Sequence, residues 1–186
     1  MSHTERSIAL IGARGAGKSR LSRKLGKRMG RVVFSTDTQV CFQCEGKTVQ
    51  QIVSEVGWPG FRDLEYEVLS RLCHMRSSII DCGGGILVEA PTETDPAETF
   101  SARKARLLKE HCVVVYLNRP LSWLLSRVEP SAARPNLSAE PYEEVLQRRM
   151  PWYEQIADVI LDAGHKGTKD LIPELLEHPS IAGLLV

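Results

Sequence analysis

Residues 7–19 read SIALIGARGAGKS, and this stretch decides the fold. Its first five residues form a short apolar run that is typical of a buried strand, and residues 12–19 match the pattern G-x-x-x-x-G-K-[ST]. The following string, SRLSRKLGKRMG, places Leu21 and Leu25 on one face of a helix. A strand that enters a glycine-rich turn and leaves it as a helix points backbone N–H groups and the positive helix end at one place. The stretch therefore predicts a phosphate-binding loop, and the alternative is a chance match in a surface loop.

This loop predicts that the protein binds a nucleoside triphosphate together with Mg²⁺. Lys18 would reach the β- and γ-phosphates, and the Ser19 hydroxyl is the candidate ligand for the metal ion. Glycines let the backbone curl around the phosphates because they have no Cβ. The candidate nucleotide-binding residues of this segment are Gly12, Ala13, Arg14, Gly15, Ala16, Gly17, Lys18, Ser19 and Arg20.

Length and composition favour one globular domain that covers residues 1–186. A net charge of +1 gives no reason to expect a nucleic acid or an acidic membrane as a partner. No apolar run has the length of a membrane span and no signal peptide is evident, so we expect a cytoplasmic protein. Five cysteines include one C-x-x-C pair, Cys41 and Cys44, without a second pair at zinc-ligand spacing. Reduced, incidental thiols are therefore favoured over a zinc or redox site.

Five apolar runs have the length of strands, at residues 7–11, 31–34, 78–81, 112–117 and 158–161. Short strands that alternate with helical segments predict an α/β protein, with a five-stranded parallel sheet covered by helices on both faces in three layers. The predicted helices cover residues 48–57, 61–75, 103–111, 120–128, 141–157 and 168–178. Pro151 is expected to kink or break the fifth of these helices.

Two segments have an irregular composition. Residues 89–101 are acidic and contain prolines, which predicts a surface insertion. Residues 129–141 are rich in Pro, Ser and Ala and carry Arg134. A mobile loop with one basic residue is a candidate lid over a phosphoryl-transfer site, covering residues 128–141, and a plain surface loop is the alternative.

A second group of residues follows the predicted strands. Asp37 comes after the second strand, where a carboxylate would face the ligand crevice of a parallel sheet and could accept a proton from a hydroxyl group. Residues 83–85 are three glycines after the third strand, and they are costly there unless a ligand lies close to the main chain. Arg62 and Arg149 could grip one carboxylate, since a guanidinium binds it through two hydrogen bonds. Taken singly, Asp37 could cap a helix, the arginines could be solvated and the glycines could form a tight turn.

In this order the motifs resemble those of the shikimate kinases, a family of the P-loop kinase superfamily. The matching strings, which cover nearly the whole chain, are GARGAGKS, STD, GFRDLE, GGG, R-x₆-RPNL and RRMPWY. The resemblance implies the P-loop kinase fold, with a substrate-binding segment at residues 36–75. It also implies transfer of the ATP γ-phosphate to the 3-hydroxyl of shikimate, with Mg²⁺, in aromatic amino acid biosynthesis. We expect a monomer whose partners are ATP and shikimate.

The same resemblance implies roles for single residues. Asp37 would contact the acceptor hydroxyls and act as the base, Arg134 would close with the lid on the transferring phosphate, and Arg127 would stack near the adenine. Arg62 and Arg149 would hold the carboxylate of the acceptor. The implied catalytic residues are Lys18, Asp37 and Arg134, and the implied substrate site comprises Asp37, Arg62, Gly83, Gly84, Gly85 and Arg149.

One string departs from the family pattern, which has D-x-D after the second strand with the first Asp on the metal side. Counting forward from the phosphate loop places Ser35 and Asp37 at the two acidic positions. Counting back from GFRDLE places Thr36 and Thr38 there. We favour the forward count, because strand and loop lengths leave less slack than the helical region. Asp81, just before the glycines, is a candidate acid that would lie around the metal ion without binding it directly.

The altered STD string keeps two other functions open. One is a kinase for another small hydroxy acid such as gluconate, or for a nucleotide, although a nucleotide acceptor would not need Arg62 and Arg149. The other is a non-catalytic relative that binds shikimate or ATP.

Overall fold

The chain folds around a parallel β-sheet with helices packed against it. The computed structural model describes residues 5–91, 97–127 and 140–184. In chain order its elements are β1 (Ser7–Ile11), α1 (Lys18–Met29), β2 (Val33–Ser35), α2 (Thr36–Gln43), α3 (Val49–His74), β3 (Ile79–Asp81), β4 (Val88–Glu89), β5 (Thr99–Phe100), α4 (Ala102–His111), β6 (Cys112–Asn118), α5 (Leu121–Arg127), α6 (Tyr142–Ile156), β7 (Val159–Asp162), α7 (Thr168–Glu177) and α8 (Pro179–Ala182).

The main sheet has five strands in the order β2-β3-β1-β6-β7, and every neighbouring pair is parallel. This confirms the predicted five-stranded parallel sheet. Every residue of β1 is buried between β3 and β6, which is why the run SIALI lacks polar alternation. The chain adds strands first on one side of β1 and then on the other, so the crevice expected at such a reversal lies at the carboxyl end of β1.

The helices form layers against this sheet. Helix α1 contacts β1, β2 and β3, and α7 contacts both α1 and α8. Helix α3 packs on α4, while α4 and α6 contact β6. Leu21 and Leu25 are fully buried, in agreement with their helical spacing. Among the helices in the described part of the chain, none is long and apolar enough to cross a membrane.

The two helices predicted at residues 48–57 and 61–75 are joined in α3. Thr48 and Gln51 form a capping box at its start, in which Thr48 Oγ1 accepts from Gln51 N at 3.3 Å and Gln51 Oε1 accepts from Thr48 N at 2.9 Å. Gly57 interrupts the helix with a φ of 70°, and Pro59 follows it. The predicted boundary between two helices is therefore present as a kink.

The expectation that residues 89–101 form a surface insertion is wrong at both ends of the segment. Strands β4 and β5 pair antiparallel, with Val88 opposite Phe100 and Glu89 opposite Thr99. Glu98 and Ser101 are buried, with 6% and 0% of their surface exposed. The acidic composition of the segment suggested exposure, but the carboxylate of Glu98 is buried and paired with Arg149.

Pro151 does not break α6, which continues from Tyr142 to Ile156 as one helix. The ring of proline removes one helical hydrogen bond. Apolar packing of the buried residues Leu146, Tyr153 and Ile156 stabilises α6 in spite of that loss.

No disulfide joins the five cysteines, all of which lie in the described part of the chain, and Cys73, Cys82 and Cys112 are buried. Burial raises the pKa of the Cys82 thiol well above its ordinary value. A thiol of this kind is a poor nucleophile, so Cys82 is part of the packing of the site rather than of its chemistry.

Candidate active site

The phosphate loop, residues 12–17, connects β1 to α1. Gly12, Gly15 and Gly17 have φ values of 136°, 85° and 98°, in the left-handed region where a side chain is costly. A Cβ on Gly12 would also lie 2.9 Å from the carbonyl oxygen of Leu117. The course of the backbone therefore demands these glycines independently of any ligand.

Lys18 and Ser19 occupy the first turn of α1. The Lys18 ammonium is buried and donates hydrogen bonds to the carbonyls of Gly12, at 2.8 Å, and Ala13, at 2.9 Å. Gly17 precedes the helix without a side-chain cap, and the first turn carries no acidic residue. The helix thus presents its N–H groups and the positive end of its dipole to an anion.

A cavity of about 470 Å³ lies where the phosphate loop meets the ends of β2 and β3. The predicted site residues that line it are Arg14, Gly15, Gly17, Lys18, Ser19, Arg20, Asp37, Arg62, Gly83, Gly84, Gly85 and Arg149. Gly12, Ala13 and Ala16 belong to the same loop, but they are buried and do not line the cavity. The structure therefore gathers the two predicted groups, which are far apart in sequence, into one cavity.

The charges of this cavity favour anionic ligands. Its basic lining residues are Arg14, Lys18, Arg20, Arg23, Arg62 and Arg149. Its acidic lining residues are Asp37, Glu65 and Asp81. An excess of positive charge in a cleft attracts polyphosphates and carboxylates.

The three glycines after β3 each make room for a neighbouring group of the site. A Cβ on Gly83 would collide with the Asp37 carboxylate, and one on Gly84 would lie 3.0 Å from the backbone nitrogen of Arg14. A Cβ on Gly85 would lie 2.5 Å from one terminal nitrogen of Arg62. The glycine segment therefore allows the carboxylate, the phosphate loop and the guanidinium to converge.

Arg62 is buried on α3 and belongs to a charge network. It donates to Glu65 Oε2 at 2.8 Å, and Lys104 donates to the same oxygen at 2.9 Å. Burial would raise the pKa of Glu65, but Arg62 and Lys104 outweigh it and hold that pKa below its ordinary value. The Arg62 guanidinium lies 5.4 Å from the Trp58 ring centroid and 5.5 Å from that of Phe61. Stacking and ion pairing together fix its orientation.

Arg149 enters the cavity from α6. Tyr142 Oη, on the same helix, donates to the Arg14 carbonyl at 3.2 Å, and Tyr153 Oη donates to the Gly84 carbonyl at 2.5 Å. Arg149 itself donates from Nε and Nη2 to the two carboxylate oxygens of Glu98, at 2.8 and 2.6 Å. Helix α6 is thereby fastened to the phosphate loop, the glycine segment and the β4–β5 hairpin.

Ser35 and Asp81 stand opposite each other at the ends of β2 and β3. Register partners project their side chains from the same face of a sheet, and both line the cavity. The Ser35 hydroxyl accepts from Thr38 N at 3.4 Å and caps α2. Asp81 has 6% of its surface exposed, and its Oδ1 is buried without a hydrogen-bond partner among the described residues. A buried carboxylate oxygen of this kind calls for a cationic ligand.

Arg119 connects the phosphate loop to the segment between β7 and α7. Its guanidinium donates to the carbonyl of Ala16 at 3.2 Å. It also donates to the carbonyls of Ala163, Gly164 and Lys166, at 3.1, 2.7 and 3.0 Å respectively. Arg119 therefore links the phosphate loop to the segment between β7 and α7.

Two other residues predicted to contact the nucleotide are Arg127, the last residue of α5, and Arg134, in the predicted lid. The guanidinia of Arg119 and Arg127 lie 4.6 and 4.7 Å from the ring centroid of Trp123. Arg134 and residues 128–139 of the predicted lid lie outside the described residues.

Sequence reasoning missed Glu65, Lys104, Glu98 and Arg119 as parts of the site. Glu65 stands in the string GFRDLE, where its spacing of three residues from Arg62 on a helix was an available signal. The other three lack such a signal, because their partners are distant in the chain.

The family model described as shikimate kinase matches residues 14–179. A shikimate kinase of Leptospira borgpetersenii is 36% identical, with 92% of this chain and 96% of that protein covered. A shikimate kinase of Dehalococcoides mccartyi is 33% identical, with 91% of this chain and 90% of that protein covered. Among solved structures, the shikimate kinase from Acinetobacter baumannii in complex with shikimate has a TM-score of 0.79 at 28% identity, covering 94% of this chain and 93% of that one.

Proposed function

The chain belongs to the shikimate kinase family of ATP-dependent enzymes that phosphorylate shikimate, and we propose which of its residues perform the reaction. The observation that carries the proposal is the shared cavity. The cavity places the phosphate loop beside the Asp37 carboxylate and two buried arginines, Arg62 and Arg149. A phosphate donor and a carboxylated acceptor can therefore be held side by side.

Donor binding rests on the loop and the first turn of α1. Backbone N–H groups of residues 14–19 and the Lys18 ammonium bind the β- and γ-phosphates of ATP. As the resemblance implies, Arg127 lies against the adenine of ATP, and Arg134 closes with the lid on the transferring phosphate.

Acceptor binding rests on the two arginines, which take the carboxylate of shikimate, and on the backbone of the glycine segment. Asp37 then accepts the proton of the 3-hydroxyl as its oxygen bonds to the γ-phosphorus. The bond from that phosphorus to the bridging oxygen breaks, and ADP leaves with the electron pair. Asp37 is suited to this role because Gly83 lets its carboxylate lie against the wall of the cavity.

The residues present also fit a divalent cation. The fit depends on the buried, unpartnered Oδ1 of Asp81, which lines the cavity together with Ser19. The described residues contain no cluster of three or more His, Cys, Asp or Glu side chains arranged for a metal ion, as suits Mg²⁺, which keeps several waters and binds substrate phosphates. Ser19 and Asp81 would hold it, and the bound ion supplies charge neutralisation at the phosphates.

The proposal extends to the setting of the enzyme. A monomeric protein of the cytoplasm that supplies aromatic amino acid biosynthesis agrees with the family and with the near-neutral charge.

Replacing the base tests the assignment of roles. Asp37→Asn keeps the size of the side chain but removes the proton acceptor, so we expect turnover to fall by roughly a hundredfold or more. ADP affinity should stay within about threefold, because the phosphate loop is untouched. A coupled ADP-release assay measures turnover, and titration calorimetry measures the affinity. A variant that turns over shikimate at near the wild-type rate would refute the role of Asp37.

A further inference from the structure

Glu98 is a buried carboxylate outside every motif identified in the sequence. It directly precedes β5 and has 6% of its surface exposed. Arg149 donates to both of its oxygens, and Arg148 donates to Oε1 at 3.0 Å. Burial would raise the pKa of Glu98, but these arginines outweigh it and lower that pKa, so the carboxylate is ionised at neutral pH.

The contact leaves one end of the Arg149 guanidinium for another carboxylate. Glu98 takes the side formed by Nε and Nη2. A guanidinium has a second fork at its Nη1–Nη2 end, which can bind another carboxylate through two hydrogen bonds. Arg149 lines the cavity, whereas Glu98 is not among its lining residues. Glu98 therefore contacts Arg149 from behind the site and does not fill the place of an acceptor.

Arg62 also has a buried glutamate partner, Glu65, which it contacts through Nη1 at 2.8 Å. Arg62 and Arg149 are thus each paired with a buried glutamate, one in the GFRDLE helix and one just before β5. A long side chain such as arginine loses much conformational freedom when it is fixed, and a partner that fixes it beforehand lowers the cost of binding.

We propose that Glu98 is a positioning residue that presents the free fork of Arg149 to the carboxylate of the acceptor. This deepens the proposed function and rests on it, because it takes Arg149 as a contact of shikimate. The hairpin then contributes to substrate recognition through Arg149 without touching the substrate.

Electrostatics alone makes the opposite prediction. Glu98 is a negative charge near the acceptor site, so its removal would strengthen the attraction of Arg149 and Arg148 for an anionic acceptor. Positioning predicts weaker binding when Glu98 is neutralised, and charge alone predicts tighter binding. The direction of the change therefore distinguishes the two effects.

The test is steady-state kinetics of Glu98→Gln against the wild-type protein. We expect the KM for shikimate to rise roughly tenfold, since one charge-assisted, two-bond contact of Arg149 is lost. The KM for ATP and kcat should stay within about threefold, because the phosphate loop and Asp37 are untouched. If Glu98→Gln is poorly folded, Glu98→Asp, which keeps the charge and shortens the side chain by one methylene, should give a smaller rise.

Glu89→Gln is the matched control, since Glu89 lies on the same hairpin and pairs with Arg103 at 2.8 Å outside the cavity. Its KM for shikimate should equal that of the wild type. An equal rise in Glu89→Gln would trace the effect to the hairpin as a whole and overturn the proposal. An unchanged or lower KM for shikimate in Glu98→Gln would also overturn it. Absence of wild-type turnover with shikimate would instead refute the proposed function, so the two failures are distinguishable.

Discussion

At the scale of single residues, Asp81 is the unusual feature of the site. A buried carboxylate oxygen without a partner is costly, and here it lies beside Ser35, which offers only a hydroxyl group. Both side chains lie on the same face of the sheet and line the cavity. Asp81, at the end of β3, can therefore supply the negative charge for a cation that the Ser35 hydroxyl, at the end of β2, lacks.

This pairing predicts the effect of Asp81→Asn on metal binding. The amide keeps the shape of the side chain but loses its charge, so the affinity of the ADP complex for Mn²⁺, used as a probe for Mg²⁺, should fall roughly tenfold or more. Affinity for ADP without metal should not change. Electron paramagnetic resonance measures free Mn²⁺ directly, without reliance on activity. Asp63→Asn serves as the control, because Asp63 is exposed and pairs with Arg103 away from the cavity. Equal Mn²⁺ affinity in Asp81→Asn and the wild type would remove Asp81 from the metal site.

At the scale of elements, contacts between loops that are distant in the chain help to hold the site together. Arg119 binds one carbonyl of the phosphate loop and three carbonyls of the β7–α7 segment. A carbonyl and the following N–H point in opposite directions, so the bond to Ala16 helps to aim the next N–H at the phosphates. Arg119 thus couples the shape of the phosphate loop to the position of the β7–α7 segment.

Arg119→Met removes these donors while keeping an unbranched apolar side chain that reaches the ε position. Four carbonyls lose a partner, so we expect the free energy of unfolding to fall by about 2 to 4 kcal/mol. The affinity for ATP should weaken severalfold, and the KM for shikimate should change less, because Arg62 and Arg149 do not contact Arg119. Urea unfolding and nucleotide titration measure the two effects. Loss of stability with full ATP affinity would show that Arg119 supports the fold alone.

The sequence could predict those features that depend on local pattern. Apolar runs located all five strands of the sheet, and the glycine pattern located the phosphate loop. The contact of Glu98 with Arg149 spans 51 positions, and no periodicity encodes such a pair. The pairing of Ser35 with Asp81 likewise requires the register of two strands, which apolar runs do not specify. The three glycines were expected to let a ligand lie close to the main chain. Among the described residues, the groups that approach them are Asp37, Arg14 and Arg62 of the protein itself, and the ligand contact stays a prediction.

At the scale of the whole molecule, sheet order determines where the reaction occurs. Strand β1 lies between β3 and β6, so its loop opens at the reversal of the sheet, next to the ends of β2 and β3. Helices α3 and α6 bring Arg62 and Arg149 to the same cavity. In the proposed function donor and acceptor meet in this space of about 470 Å³, an arrangement that favours direct transfer of the phosphoryl group over hydrolysis of ATP.

Direct transfer is tested by analysis of both products from the intact protein. With ATP, Mg²⁺ and shikimate, we predict one shikimate 3-phosphate for each ADP, identified by phosphorus NMR and mass spectrometry, and no phosphate ester when gluconate replaces shikimate. ADP released without a phosphorylated acceptor, or a phosphate ester formed on gluconate and not on shikimate, would contradict the assignment of this cavity to shikimate phosphorylation.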